Sequence, residues 1–436
     1  MTAPATTARS GAPGKQRIPV MDGIRGLCAL SVVITHVAFC TIVLPSAMGE
    51  PRQGIWSILA AGNDLGIGPF FVMSGLFLYR PWVRKALVAG QPTPHQGKYF
   101  LRRAARLIPA VWLVTLISLL ALNWSSLSGG GLWFFLRPFA LLQVYDFQFY
   151  AGLDVAWTVP AEAQFYIALP ILAVIGHLLS KLATTPRAKA RVLTIPLYAL
   201  VAVQLIWVAY VHSHYGPFPP QFFYPIGMCG VLALGMLFAI WTVLSEVSPQ
   251  DTPKIMNAAR KHPNLMWLAM VGVFVLSCLK LWDKPGTANW VSAPAAINQS
   301  ILFMAFAFFS MLPLVVPGGV SRLMKAVLGN PVSVYLGRIS YGIYLWHFFA
   351  MYLVFDNGTL FGTTYGPVGF LLGKFGFWEL FIPTILITVT IASISYWVME
   401  RPIINVVARI TADKKKAGTP PVIRPDTGQG PLPKAA

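Results

Sequence analysis

Apolar runs of about the length a bilayer demands of a helix recur along this chain, separated by short polar or basic stretches. They fall at 24–44, 65–80, 107–122, 158–179, 192–212, 222–244, 264–282, 296–316, 335–355 and 376–399. The pattern predicts an all-α polytopic membrane protein with about ten transmembrane helices. An eleventh run, 131–145, is short and carries Arg137 and Pro138, so it is expected to be re-entrant or interfacial on the outer side.

Composition and charge sharpen this picture. Of 436 residues, 56% are hydrophobic and only 11% charged, far from the roughly 25% charged residues of a soluble domain. The net charge of +19 would suit nucleic acid, but ten spans with both termini inside place 28 of the 33 Lys and Arg on one side of the membrane. That asymmetry is the positive-inside pattern, which predicts cytoplasmic N- and C-termini and makes nucleic acid an unnecessary partner. Residues 1–19 and 403–436 are rich in Pro, Gly, Ala and basic residues and are expected to be disordered tails flanking a membrane domain over 20–402. The N-terminal segment lacks the cleavage signature of a signal peptide and is expected to be retained. Cys28, Cys40, Cys229 and Cys278 match no metal or redox spacing and read as small packing residues.

Ionisable side chains within spans are costly, so the few present are candidates for chemistry. Arg25 and His36 lie eleven residues apart on the first span, which at about 100° and 1.5 Å per residue puts them on one face roughly 16 Å apart. The imidazole titrates near neutrality in water and suits a general base, although a histidine can equally bridge two helices. On the second span Gly68 and Gly75 share a face, and Ser74 sets a hydroxyl beside the bare backbone of Gly75; helix packing and ligand contact are both open readings. Arg102, Arg103 and Arg106 crowd the start of the third span, where forked guanidinium groups fit phosphate or simply fix orientation. In "WTVPAEAQFY", Glu162 and Tyr166 share a face after Trp157, with Arg137 a possible ion-pair partner for Glu162. In "GRISYGIYLWH", Ser340, Tyr344 and His347 share a face, with Arg338 at the inner end, and His347 reads more as a tie between helices than as a catalyst. No metal site is visible.

The order of these motifs resembles the acyltransferase-3 family: an Arg and a His separated by ten residues, then "FFVMSGLFL", "RRAARLIP", "WTVPAEAQFY", "SYGIYLWH" and a closing "ERP", over about 20–402. The resemblance implies a multispan bacterial membrane enzyme that moves acyl groups, usually acetyl, onto envelope glycans and lipids. It implies that Arg25 and His36 are an essential pair, that Ser74 and Gly75 line the pocket, that Arg103 and Arg106 help hold the donor, and that Glu162 serves the acceptor side. Many members carry two adjacent acids in the fourth-span motif, whereas here Ala163 follows Glu162. Some members carry a fused extracytoplasmic domain, and this chain ends soon after its last span, so it is expected to act alone or with a separate partner.

A cytoplasmic acyl-CoA, polyanionic and unable to cross a bilayer, would rest its phosphates on Arg25, Arg103 and Arg106 while its thin pantetheine arm reaches His36. The expected reaction is O-acetyl transfer from acetyl-CoA to an envelope glycan or glycolipid in the bacterial cytoplasmic membrane, with His36 as base or acyl relay. A mycolyl-trehalose-type lipid is one acceptor the Ala-, Gly- and Pro-rich tails suggest. Membrane lipids and other envelope-synthesis or export proteins are the expected partners. A proton-coupled exporter and a non-catalytic scaffold are the alternatives; the first has no need of the Arg-rich loop, and the second predicts that His36 is dispensable.

Overall fold

The computed structural model describes residues 18–41, 43, 54–146, 150–215, 220–281, 292–355 and 374–412. Among the described residues every regular element is helical. In chain order they are α1 (Pro19–Cys40), α2 (Ile55–Gly62), α3 (Gly68–Leu87), α4 (Gln96–Leu122), α5 (Trp124–Phe139), α6 (Gln143–Asp146), α7 (Thr158–Ser180), α8 (Pro186–Tyr215), α9 (Cys229–Val247), α10 (Lys254–Lys261), α11 (Pro263–Leu279), α12 (Ala293–Val315), α13 (Arg322–Leu328), α14 (Pro331–Arg338), α15 (Ser340–Phe355), α16 (Phe377–Ser395) and α17 (Arg401–Ile410).

Eight described runs are long and apolar enough to cross a membrane, and α10 with α11 makes a ninth if that pair, bent by 101°, is one span. The chain is a multi-pass membrane protein. The remaining expected span, 335–355, ninth in chain order, divides at Ile339 into α14 and the 16-residue α15. Within the described residues helix α15 falls short of a span by length, and 12 of its 16 residues are buried. A helix enclosed by others has no lipid thickness to match. Helix α8 is the opposite case, with Ile195 and Ile206 each about two-thirds exposed, as a lipid-facing helix requires.

The 131–145 run does not form one continuous helix. Helix α5 breaks at Gly131 (φ 67°), and Leu141 (φ 59°) separates it from α6. The broken segment lies against its neighbours: Trp112 Nε1 donates to the Phe139 carbonyl at 3.0 Å and the Tyr150 hydroxyl to that of Phe134 at 2.8 Å. The expected tails fall outside the described residues at 1–17 and 413–436, and α17 carries helix to Ile410, past the expected boundary at 402.

Glycines bring the central helices together. A Cβ on Gly75 would lie 2.2 Å from the Leu232 carbonyl oxygen, and one on Gly235 would lie 2.1 Å from that of Val72, so α3 and α9 meet backbone to backbone. Gly68 faces Ala307 of α12 instead, so the two glycines of this helix serve different neighbours. Gly23 and Gly26 seat the first half of α1 in the same way against Leu328 and Ser333, near α13 and α14. Further along α1, Asn63 Nδ2 donates to the Ser31 carbonyl (2.8 Å) and to Thr35 Oγ1 (3.0 Å), which fixes the helix rotation just before His36. All four cysteines are free; Cys28, Cys40 and Cys278 are buried, and Cys229 Sγ donates to the Leu200 carbonyl.

Candidate active site

Polar side chains from α1, α3, α4, α7 and α15 form a column through the bundle, best followed along α15. At its far end Tyr352 donates to Asp154 Oδ1 at 3.4 Å. Inward of that, His347 Nε2 lies 3.1 Å from His36 Nδ1, with the rings 5.1 Å apart and Phe348 packed against both. His347 Nδ1 lies 2.8 Å from the Tyr344 carbonyl oxygen. His347 is fully buried, while His36 keeps some exposure. The expected tie between α15 and a neighbouring helix therefore exists, and its partner is His36 itself.

Next along the column, the Tyr344 hydroxyl donates to the Val155 carbonyl at 2.5 Å and accepts from Thr158 Oγ1 at 2.7 Å. This clamp holds the 150–158 segment inside the bundle and sets where α7 begins. One turn into α7, Glu162 Oε1 accepts from Ser74 at 2.8 Å and from Tyr166 at 2.5 Å. The observed partners of Glu162 are thus these two hydroxyls, and Arg137 lies over the Trp133 ring, 5.4 Å from its centroid. The guanidinium of Arg103 sits 6.0 Å from the Tyr166 ring centroid, and Tyr99 donates to the Tyr166 carbonyl.

At the arginine end, the charges facing Arg25 are Arg106, Asp22 and Glu162. Glu400, which accepts from Ser395 at 3.0 Å, faces Arg106 and Arg25 from a turn of π-helix between α16 and α17. The Nε of Arg103 is buried and finds no acceptor among the described residues. A buried guanidinium donor left open is available to an anionic ligand.

Arg25, His36, Ser74, Arg103, Arg106, Glu162, Tyr166, Tyr344 and His347 all belong to this column. Three other candidates point elsewhere. Arg102 donates to Thr411 Oγ1 (2.6 Å) and to its carbonyl (2.7 Å), closing the C-terminal end of α17. Ser340 donates back to the Gly337 carbonyl, and Gly75 is taken up by the contact with α9. Glu162, expected beside the acceptor, stands between the histidine pair and the arginines, because the clamped 150–158 segment starts α7 inside the bundle.

Asp154 is a residue that pattern reading misses. It lies outside every apolar run of span length, just before the one at 158–179, so a search for acids within spans passes over it, yet "AGLDVAW" is apolar apart from this one carboxyl. Burial pushes the Asp154 carboxyl up to about 7, against the opposing pull of the Gly152 N–H and the Tyr352 hydroxyl that donate to it.

Residues 18–397 match a family described as an acyltransferase domain, the third of that name. A protein of Staphylococcus aureus (strain COL) named "Putative O-acetyltransferase" is 21% identical over 402 residues, covering 88% of this chain and 57% of its own length. The "Putative peptidoglycan O-acetyltransferase YrhL" of Bacillus subtilis (strain 168) is 24% identical over 410 residues, covering 88% and 55%. "Nodulation protein 10" of Rhizobium leguminosarum bv. viciae is 23% identical over 383 residues, covering 81% and 86%. The chain thus spans little more than half the length of the first two relatives. No solved structure matches it.

Proposed function

This chain belongs to the acyltransferase-3 family, and we propose that it moves an acetyl group from acetyl-CoA to a hydroxyl of an envelope glycan or glycolipid. The observation that carries the reading is the column itself. A cluster of arginines with an open guanidinium donor on Arg103 stands at one end, and on the helix that carries Arg25 a partly exposed histidine about 16 Å further along can take a proton. The excess of basic residues on that side favours a cytoplasmic face for the arginine end in the bacterial cytoplasmic membrane.

In this reading Arg25, Arg103 and Arg106 hold the phosphates of the donor, and its pantetheine arm lies along Glu162 and Tyr166 with the thioester beside His36. His36 takes the proton of the acceptor hydroxyl as the oxygen bonds to the thioester carbon. The carbon–sulfur bond then breaks, and the imidazolium returns the proton to the leaving thiolate, giving an acetyl ester and free thiol. A relay with the acetyl group briefly on His36 balances equally well. Ser74 and Tyr166 keep Glu162 oriented toward the arginines. The name of the Bacillus subtilis relative favours a glycan acceptor, peptidoglycan, and an envelope glycolipid has the same reactive hydroxyl.

The test uses the purified protein in proteoliposomes, with labelled acetyl-CoA and either peptidoglycan fragments or total envelope glycolipid as acceptor. Base-labile label on the acceptor is the readout. His36→Ala is expected to lose at least about 100-fold in transfer while eluting as a folded protein. A folded His36→Ala protein that transfers within a few-fold of wild type would overturn the assignment.

A further inference from the structure

The hydrogen bonds around the two histidines fix where each hydrogen sits. His347 Nδ1 lies 2.8 Å from the Tyr344 carbonyl oxygen and 3.2 Å from that of Ile343. Carbonyl oxygens only accept, so His347 Nδ1 must carry a hydrogen. A neutral imidazole has one N–H, which leaves His347 Nε2 as a bare acceptor. That atom lies 3.1 Å from His36 Nδ1. The contact is a hydrogen bond only if His36 Nδ1 is the donor.

A charged pair is the poorer alternative. No carboxylate is hydrogen-bonded to either ring in the contacts described, Phe348 packs against both, and His347 has no exposed surface. A resting cation shared between the rings would lack a counter-charge and, on His347, any contact with solvent. With both rings neutral, one nitrogen of the four keeps an unshared lone pair, and it is His36 Nε2. His36 is also the ring of the two that retains exposure.

We infer that His347 is a positioning residue that sets the tautomer of His36, so that His36 Nε2 is the atom that takes the proton from the acceptor hydroxyl. The inference rests on the proposed acyl transfer by His36. Its logic is that of the orienting partner of a catalytic histidine, with a neutral imidazole in place of a carboxylate. Once Nε2 is protonated, the Nδ1–H of His36 becomes a stronger donor, and the contact with His347 Nε2 stabilises the imidazolium where it forms. The Val32 carbonyl, one turn back on α1, is a second acceptor for a His36 ring hydrogen; without His347 that carbonyl is the one acceptor left, the tautomer with the hydrogen on Nε2 becomes more accessible, and that form is not a base at the required position.

Two variants separate this from a packing role. His347→Leu removes the acceptor, whereas His347→Gln keeps a carbonyl oxygen close to the position of Nε2. His347→Leu is expected to lower kcat by about 100-fold, in the range seen when orienting partners are removed, with the KM for acetyl-CoA unchanged. His347→Gln is expected to restore at least a tenth of the wild-type kcat, on the same scale. The second readout needs no turnover: ¹⁵N spectra of histidine-labelled protein in lipid, with the His36 signals assigned by their loss in His36→Gln. Wild type should show His36 Nδ1 protonated and Nε2 bare, and His347→Leu should show the other form appearing.

A wild-type spectrum with the hydrogen on Nε2 would overturn the inference, as would a folded His347→Leu protein with unchanged kcat and an unchanged His36 signal. If His347→Leu fails to fold, the wild-type spectrum and His347→Gln still decide. Should His36→Ala retain transfer, the proposed function fails, and the spectrum judges the tautomer independently.

Discussion

Replacing Asp154 by Asn removes a titrating group from an enclosed place, and the effect on stability has a fixed sign. Burial raises this carboxyl to about 7 from its ordinary 3.8, so between those values the folded chain holds a proton that the unfolded chain has released. Stability therefore falls as pH rises through that window, by at most about 1.4 kcal/mol per pH unit. The penalty is absent below about pH 4 and complete above about pH 7, where some three units amount to about 4 kcal/mol. Asn carries no charge at any pH and escapes this penalty. It presents an oxygen to only one of the two donors, Gly152 N–H and Tyr352 OH, and the lost hydrogen bond costs about 1 kcal/mol. The net expectation is a variant more stable than wild type by about 2 to 3 kcal/mol at pH 8 and slightly less stable at pH 4. Unfolding in mixed micelles, followed by tryptophan fluorescence from pH 4 to 8.5, measures the difference at each pH, and subtraction cancels the other titrating groups. Parallel profiles for the two proteins, or a variant weaker than wild type at pH 8, would refute the reasoning.

Ser74 and Gly75 are neighbours in sequence with separate duties. Gly75→Ala must push α3 from α9 and should cost about 1 to 3 kcal/mol in stability, read as a lowered unfolding midpoint; Ser74→Ala should leave the midpoint near wild type and lower transfer by loosening Glu162. Arg103→Ala and Arg106→Ala should raise the KM for acetyl-CoA more than they lower kcat, because contacts with donor phosphates exist before the transition state. Arg102→Ala should leave that KM alone and lower the unfolding midpoint, since its two hydrogen bonds hold Thr411 at the end of α17.

Much of the helical fold is legible in the sequence because a bilayer imposes a length on every apolar run that crosses it. That length rule does not reach 335–355, where the helix is buried, or the C-terminal boundary, where an amphipathic α17 continues past the last apolar run of span length. Arg25 and His36 are legible because helical geometry alone fixes their relation on one element. The partners of Glu162 are not legible, because its position depends on the Tyr344 clamp, a contact between residues 186 positions apart. Arg102 could not be told from Arg103 and Arg106 for a similar reason: its partner, Thr411, is 309 residues away.

Helix α15 shows how little of such a column one motif reveals. Reading "SYGIYLWH" by helical spacing selects Ser340, Tyr344 and His347 as one face. The structure uses Tyr341, Tyr344, His347 and Tyr352, which span about 140° of the helix at 100° per residue, while Ser340 turns back to its own backbone. Tyr341 donates to the Leu107 carbonyl on α4, Tyr344 clamps the start of α7, His347 meets His36 on α1, and Tyr352 reaches Asp154. One short, buried helix thereby sets the relative heights of the arginine helix, the glutamate helix and the histidine helix. A shift of α15 by a single residue would rotate this face by about 100° and break all four contacts together. The burial of α15 is therefore part of how the site is built.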